Sequence, residues 1–103
     1  MQSAHKDERD IIKQAALVLR AINHTFRQKI IEVLRENVKT TVTDIYIKLR
    51  VEQSIASQHL AILRRAKIVT TERSGKFIYY SMNEDKYYKV MVLAEKLRDI
   101  KNS

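Results

Sequence analysis

Apolar residues recur at helical spacing in five stretches of this chain, and two further stretches carry the β-branched and aromatic residues of strands. From Asp7 to Ile22, Ile11, Ile12, Ala15, Ala16, Leu19 and Ile22 fall at steps of three and four, with Lys13, Gln14 and Arg20 on the other side. Asp7, Glu8 and Asp10 then stand in the first turns, where negative charge complements the helix dipole. Asn23 and His24 break the pattern. Thr25 is expected to cap a second helix with Phe26, Ile30, Ile31 and Leu34 as its buried stripe. Arg27, Gln28, Lys29, Glu32, Arg35 and Glu36 would face outward, and Asn37 to Thr41 reads as a loop.

A short third helix is expected from Val42 or Thr43 to Arg50, capped by Thr43, with Ile45, Tyr46 and Leu49 facing inward. Its β-branched start leaves a strand as the competing reading of that first turn. Val51 and Glu52 turn the chain into a fourth helix, from Gln53 to about Ala66, with Ile55, Ala56, Leu60, Leu63 and Ala66 on its inner face. IVTTER and FIYYSM follow as strands. Ser74-Gly75 between them is a two-residue hairpin signal, and Gly75 is the only glycine in the chain. From Glu84 to about Lys101 helical spacing returns through Tyr87, Val90, Met91, Ala94, Leu97 and Ile100. The expected fold is mainly α with a two-stranded β-wing: a winged helix-turn-helix of order α-α-α-α-β-β-α. Residues 1–103 are expected to form one domain, without internal repeats.

Composition changes this picture in two ways. Without cysteine there are no disulfides, thiolate nucleophiles or thiol metal ligands. No apolar run approaches the ~20 residues of a membrane span, and MQSAHKDERD lacks the apolar segment of a secretory signal. A cytoplasmic protein that does not engage membranes is expected. Of the net charge of +8, the largest share falls in residues 41–82, where seven basic residues stand against three acidic ones. That balance suits a polyanionic partner, although scattered surface lysines would give the same total.

The fourth helix carries the candidate chemistry. Gln53, Ser54, Ser57, Gln58 and then His59 lie toward its start, where a helix seated in the major groove reaches base edges. Arg64, Arg65 and Lys67 at its far end suit phosphates, as do Arg73, Ser74 and Lys76 at the hairpin tip. The plainer alternatives are a solvated polar face and a charged strand edge that discourages aggregation. Of Tyr79 and Tyr80, only one can face outward, so sheet packing is expected of them rather than base stacking. Catalysis finds no support: one glycine rules out a glycine-rich phosphate loop, and no Ser, His and Asp stand in a recognisable context. His5, His24 and His59 lack metal-ligand spacing, and His24 reads as loop.

SQHLAILRRAKIV followed by TTERSGKFIYYSM resembles the ArsR (ArsR/SmtB) family of winged-helix transcriptional regulators, through Ser57, His59, Leu60, Leu63, Arg64, Ala66, Val69, Gly75, Tyr79 and Tyr80. RAINHTFRQKIIEVL is similar to the family's second-helix entry, with Arg27 and Ile30 to Leu34 in register. The resemblance implies a homodimeric repressor that binds double-stranded DNA at a palindromic operator. It also implies pairing through the two terminal helices, whose Ile12, Ala16, Leu19, Tyr88, Met91 and Val92 spread over more than one face. The chain departs from the family's metal sensors: Thr41 and Thr43 stand where a cysteine pair would, and no histidine follows His59 for the C-terminal-helix site. A redox cysteine pair is missing too, and Glu52 replaces the serine often found as cap of the recognition helix. No cofactor is expected, and the effector is unknown. A winged-helix module for a protein partner and a non-switching nucleic-acid binder are the alternatives.

Overall fold

The computed structural model describes the backbone of residues 2–102 and the side chains of residues 8–100. The elements run α1 (Gln2–Ile22), α2 (Thr25–Glu36), β1 (Thr40–Thr41), α3 (Val42–Leu49), α4 (Gln53–Arg65), β2 (Val69–Ser74), β3 (Phe77–Met82) and α5 (Glu84–Asn102). The wing therefore has three antiparallel strands rather than two, in the order β1-β3-β2. Thr40 pairs with Tyr80 and Thr41 with Tyr79, so part of the expected loop is an edge strand. A two-residue strand has no alternation to detect in sequence; the β3 edge creates it.

The core gathers around Ile30, Leu34, Ile45, Leu60, Leu63, Ile68 and Val69, all essentially inaccessible to solvent. Each such side chain contributes about 1.5–3 kcal/mol by leaving water. Val18 and Ala21 bring α1 to this core, Ala56 brings α4 and Val90 brings α5. Two stripes differ from expectation. On α1, Ile11 and Ile12 are both 67% exposed: Ile12 lies about 120° round the helix from Val18 and about 180° from Ala21, whereas Ile11 shares Val18's side of the helix but stands about two turns before the core begins. On α4, Ile55 is exposed, leaving Ala56, Leu60, Leu63 and Ala66 as the buried side. α1 also starts ahead of Asp7, so Glu8 and Asp10 lie beyond its first turn and do not serve its N-terminal dipole; the Asp7 side chain falls outside the described residues.

Helix ends explain how the pieces turn. His24, not Thr25, caps α2: its Nδ1 accepts a hydrogen bond from the Phe26 N–H at 3.1 Å. Thr41, not Thr43, caps α3, its Oγ1 accepting from the Asp44 N–H at 3.2 Å. The ends of α3 and α4 share one geometry. Arg50 N–H donates to the Ile47 carbonyl and Val51 N–H to that of Tyr46. Lys67 N–H donates to Arg64 and Ile68 N–H to Leu63 in the same pattern. Both are Schellman closures, which need a left-handed residue and usually recruit glycine. Here Arg50 (φ 57°) and Lys67 (φ 63°) fill those places.

In the wing, Ser74 pairs with Phe77, so the loop residues are Gly75 and Lys76 rather than Ser74 and Gly75. Gly75 has φ 63° while Lys76 stays at negative φ, the pattern of a type II′ turn with glycine first. Asn83 then ties the wing's base to α5. Its side-chain amide donates to the Lys67 carbonyl at 3.2 Å, and its Oδ1 accepts from the Lys86 N–H at 3.2 Å.

Candidate nucleic-acid interface

α3 and α4, joined through Arg50, Val51 and Glu52, form the helix-turn-helix. The buried residues of α4 pin one side of the helix, and this places Gln53, Ser54, Ser57, Gln58, Arg64 and Arg65 together on an exposed arc. Glu52 begins the helix with extended backbone and no side-chain capping bond, so its carboxylate leaves the first N–H groups of α4 uncapped. Lys67 is exposed just past the helix end, and Arg73, Ser74 and Lys76 are exposed at the hairpin tip. Among the described residues, ion pairs join Arg35 to Glu84, Lys48 to Glu36 and Lys89 to Asp85. Arg64, Arg65, Lys67, Arg73 and Lys76 take part in none of them. Their charge is uncompensated locally, as phosphate contacts require.

His59 does not belong to that arc. It sits about 100° from its nearer edge and is half-buried against α2. Its ring lies 4.8 Å from the rings of both His24 and Phe26, and its Nδ1 is 3.2 Å from Arg27 Nη1. Burial first, then the neighbouring His24 and the Arg27 guanidinium, hold its pKa below the usual histidine value. Arg27 likewise does not face outward: its Nε donates to the Ala21 carbonyl at 2.6 Å and its Nη2 to that of Arg20 at 3.1 Å. The break at Asn23 and His24 reverses the chain so tightly that Arg27 returns to the end of α1.

The wing holds a basic group that sequence reading missed. Lys39 places its Nζ 5.0 Å from the Tyr79 ring centre, beside β3, and Lys76 lies 5.5 Å from the Phe77 ring. Phe77 and Tyr79 share one face of the ribbon, whereas Tyr80 packs against the core. Only the β1–β3 pairing brings Lys39 there. Thr41, one of the two residues standing where metal-sensing relatives carry cysteine, is engaged in capping α3. Among the described residues no group of three or more His, Cys, Asp or Glu is arranged to hold a metal. No described helix is long and apolar enough to cross a membrane.

A helix-turn-helix with an exposed polar row on its second helix, followed at once by a basic hairpin, defines the winged-helix class of DNA-binding proteins. Within that class the chain belongs to the ArsR family of bacterial regulatory proteins, whose model matches residues 26–71. It is 37% identical over 82 residues to the transcriptional repressor PagR of Bacillus anthracis, spanning 80% of this chain and 82% of PagR. The transcriptional repressor SdpR of Bacillus subtilis is 36% identical over 66 residues, 64% of this chain and 72% of SdpR. In three dimensions the crystal structure of PagR superposes with a TM-score of 0.68 at 31% identity, covering 82% of this chain and 98% of PagR. NolR from Sinorhizobium fredii gives 0.70 at 31% identity, covering 91% and 90%. The protein is a transcriptional regulator of a DNA-binding family and not an enzyme.

Proposed function

We propose that the protein is a homodimeric repressor that occupies a palindromic operator and responds to neither of the family's usual metal signals. The observation that carries this reading is the exposed arc of α4 beside the unpaired cations at its end and on the wing. Gln53, Ser54, Ser57 and Gln58 read base edges, while Arg64, Arg65, Lys67, Arg73, Ser74 and Lys76 hold phosphates. Dimerisation through α1 and α5 is supported by apolar side chains that the monomer leaves uncovered. Ile12 is 67% and Tyr88 69% exposed, Met91 is exposed, and Ala16, Leu19 and Val92 are half-buried. A groove of about 430 Å³ lined by Leu19, Met91 and Leu97, among others, runs beside them. A two-fold dimer would set two α4 helices about one DNA turn apart, ~34 Å.

The deciding experiment selects duplexes from a randomised pool and measures affinity for the enriched sequence and for random DNA across a salt series. An inverted-repeat consensus and a steep salt slope are expected. Gln58→Ala should weaken the enriched duplex by about 1–3 kcal/mol and leave random DNA unchanged. Equal loss on both would remove Gln58 from base reading. A monomeric mass by light scattering at micromolar concentration would remove the dimer.

A further inference from the structure

Three elements meet at one guanidinium. Arg27 of α2 donates to the carbonyls of Arg20 and Ala21 at the end of α1, and its remaining arm donates to His59 of α4. An arginine only donates, so His59 Nδ1 must be the acceptor and the ring must be neutral, with its proton on Nε2. His24 lies beside it, its Nδ1 accepting from the Phe26 backbone N–H at the start of α2. The two imidazoles lie 4.8 Å apart, between the end of α1 and the middle of α4.

From these contacts we infer that Arg27, His24 and His59 form a positioning pin for the reading helix, and that proton uptake by His59 releases it. The inference rests on the DNA-binding reading above. Protonating His59 turns its acceptor into a donor facing Arg27, exchanging a hydrogen bond for a repulsion between two cations. The groups around the cluster offer little relief. α1 presents two carbonyls and the Arg20 side chain, whose Nε bonds back to Ala16. α2 presents Arg27 and the neutral Gln28, which bonds the Ile22 carbonyl. Among the described residues no carboxylate pairs with Arg27, His24 or His59. His59 also resists protonation for the reasons of burial and neighbouring charge given above. A histidine whose folded pKa lies below its unfolded value binds more protons when released. The pinned state is therefore favoured above pH ~6.5 and loses ground as pH falls from there through the folded value.

The sign of the outcome is diagnostic. Acidification adds positive charge, which by itself tightens binding to a polyanion. The pin predicts the reverse: affinity for a duplex enriched from a random pool falls about tenfold between about pH 7.5 and 5.5, the scale of one linked proton per pH unit. His24→Asn with His59→Gln retains an acceptor at each site and cannot titrate. That double variant should match the wild type near pH 7.5 and lose the acid-induced fall. His5 is present in both proteins and cancels. His59→Leu, with no acceptor, should bind weakly at both pH values. In the free protein, nitrogen-detected NMR should find His59 as the Nε2–H tautomer, titrating below the ordinary histidine range. Affinity that holds or rises in acid, a fall that survives in the double variant, or loss of fold near pH 5.5 in both proteins would each overturn the pin. If no duplex is bound near pH 7.5, the DNA reading itself fails, and the tautomer and titration of His59 still decide the pin separately.

Discussion

Arg50 and Lys67 bracket the reading helix, and both hold a left-handed backbone that a side chain opposes. The Cβ of an L-residue costs about 1–2 kcal/mol in that region. Replacing Arg50 by glycine removes this cost, and the Schellman bonds at Ile47 and Tyr46 use backbone groups only, so they survive. Against the gain stands the extra freedom of glycine in the unfolded chain, about 0.4–1 kcal/mol. The net expectation for Arg50→Gly is a stabilisation of about 0–1.6 kcal/mol, centred on about 0.8, and the same reasoning applies to Lys67→Gly. For a domain of this size that raises Tm by roughly 3–6 °C, compared at equal protein concentration because the Tm of the proposed dimer would depend on it. Arg50→Asn should fall between the two. Lys67→Gly should also weaken DNA binding while it stabilises the fold, since the lost charge is one assigned to phosphate. Calorimetry on the free proteins and a salt series with DNA read the two effects separately. If both glycine variants melt at or below the wild-type temperature, the left-handed cost does not govern these turns and the reasoning is wrong.

Other substitutions test neighbouring parts of the structure. Leu63→Ala opens the inaccessible core beneath α4 and should cost about 2–5 kcal/mol in denaturant unfolding; a cost under about 1 would mean that the core collapses around the gap. Thr41→Ala should lose about 1 kcal/mol through the cap of α3, whereas Thr43→Ala, at an exposed site, should change stability by only a few tenths; the reverse order would restore Thr43 as the cap. At Gly75 an added methyl meets no atom within 4 Å, so Gly75→Ala tests the positive φ alone and should destabilise by about 1 kcal/mol, with no loss counting against the turn type. Lys76→Ala should weaken binding to all duplexes alike and flatten the salt slope by about one charge; a sequence-selective loss would make it a base contact instead.

Local chemistry was enough for the order of the elements and for most of the reading head. Apolar spacing placed α4 at Gln53–Arg65 to within a residue, β-branched and aromatic runs located β2 and β3, and the single glycine marked the hairpin. These signals are readable because each lies within one turn or one strand of the residues that produce it. The helix caps at His24 and Thr41, the strand at Thr40–Thr41, the inward turn of Arg27 and the placement of Lys39 beside Tyr79 were not readable. Each depends on which neighbour the chain meets after it folds. His59 shows the difference most plainly. Its position on an amphipathic helix made it a base-reading candidate, but its ring lies on the flank where α2 arrives, and Arg27 claims its free nitrogen. Helical periodicity fixes the angle of a side chain about its own axis. Only packing decides whether that angle opens on solvent, on DNA or on another helix.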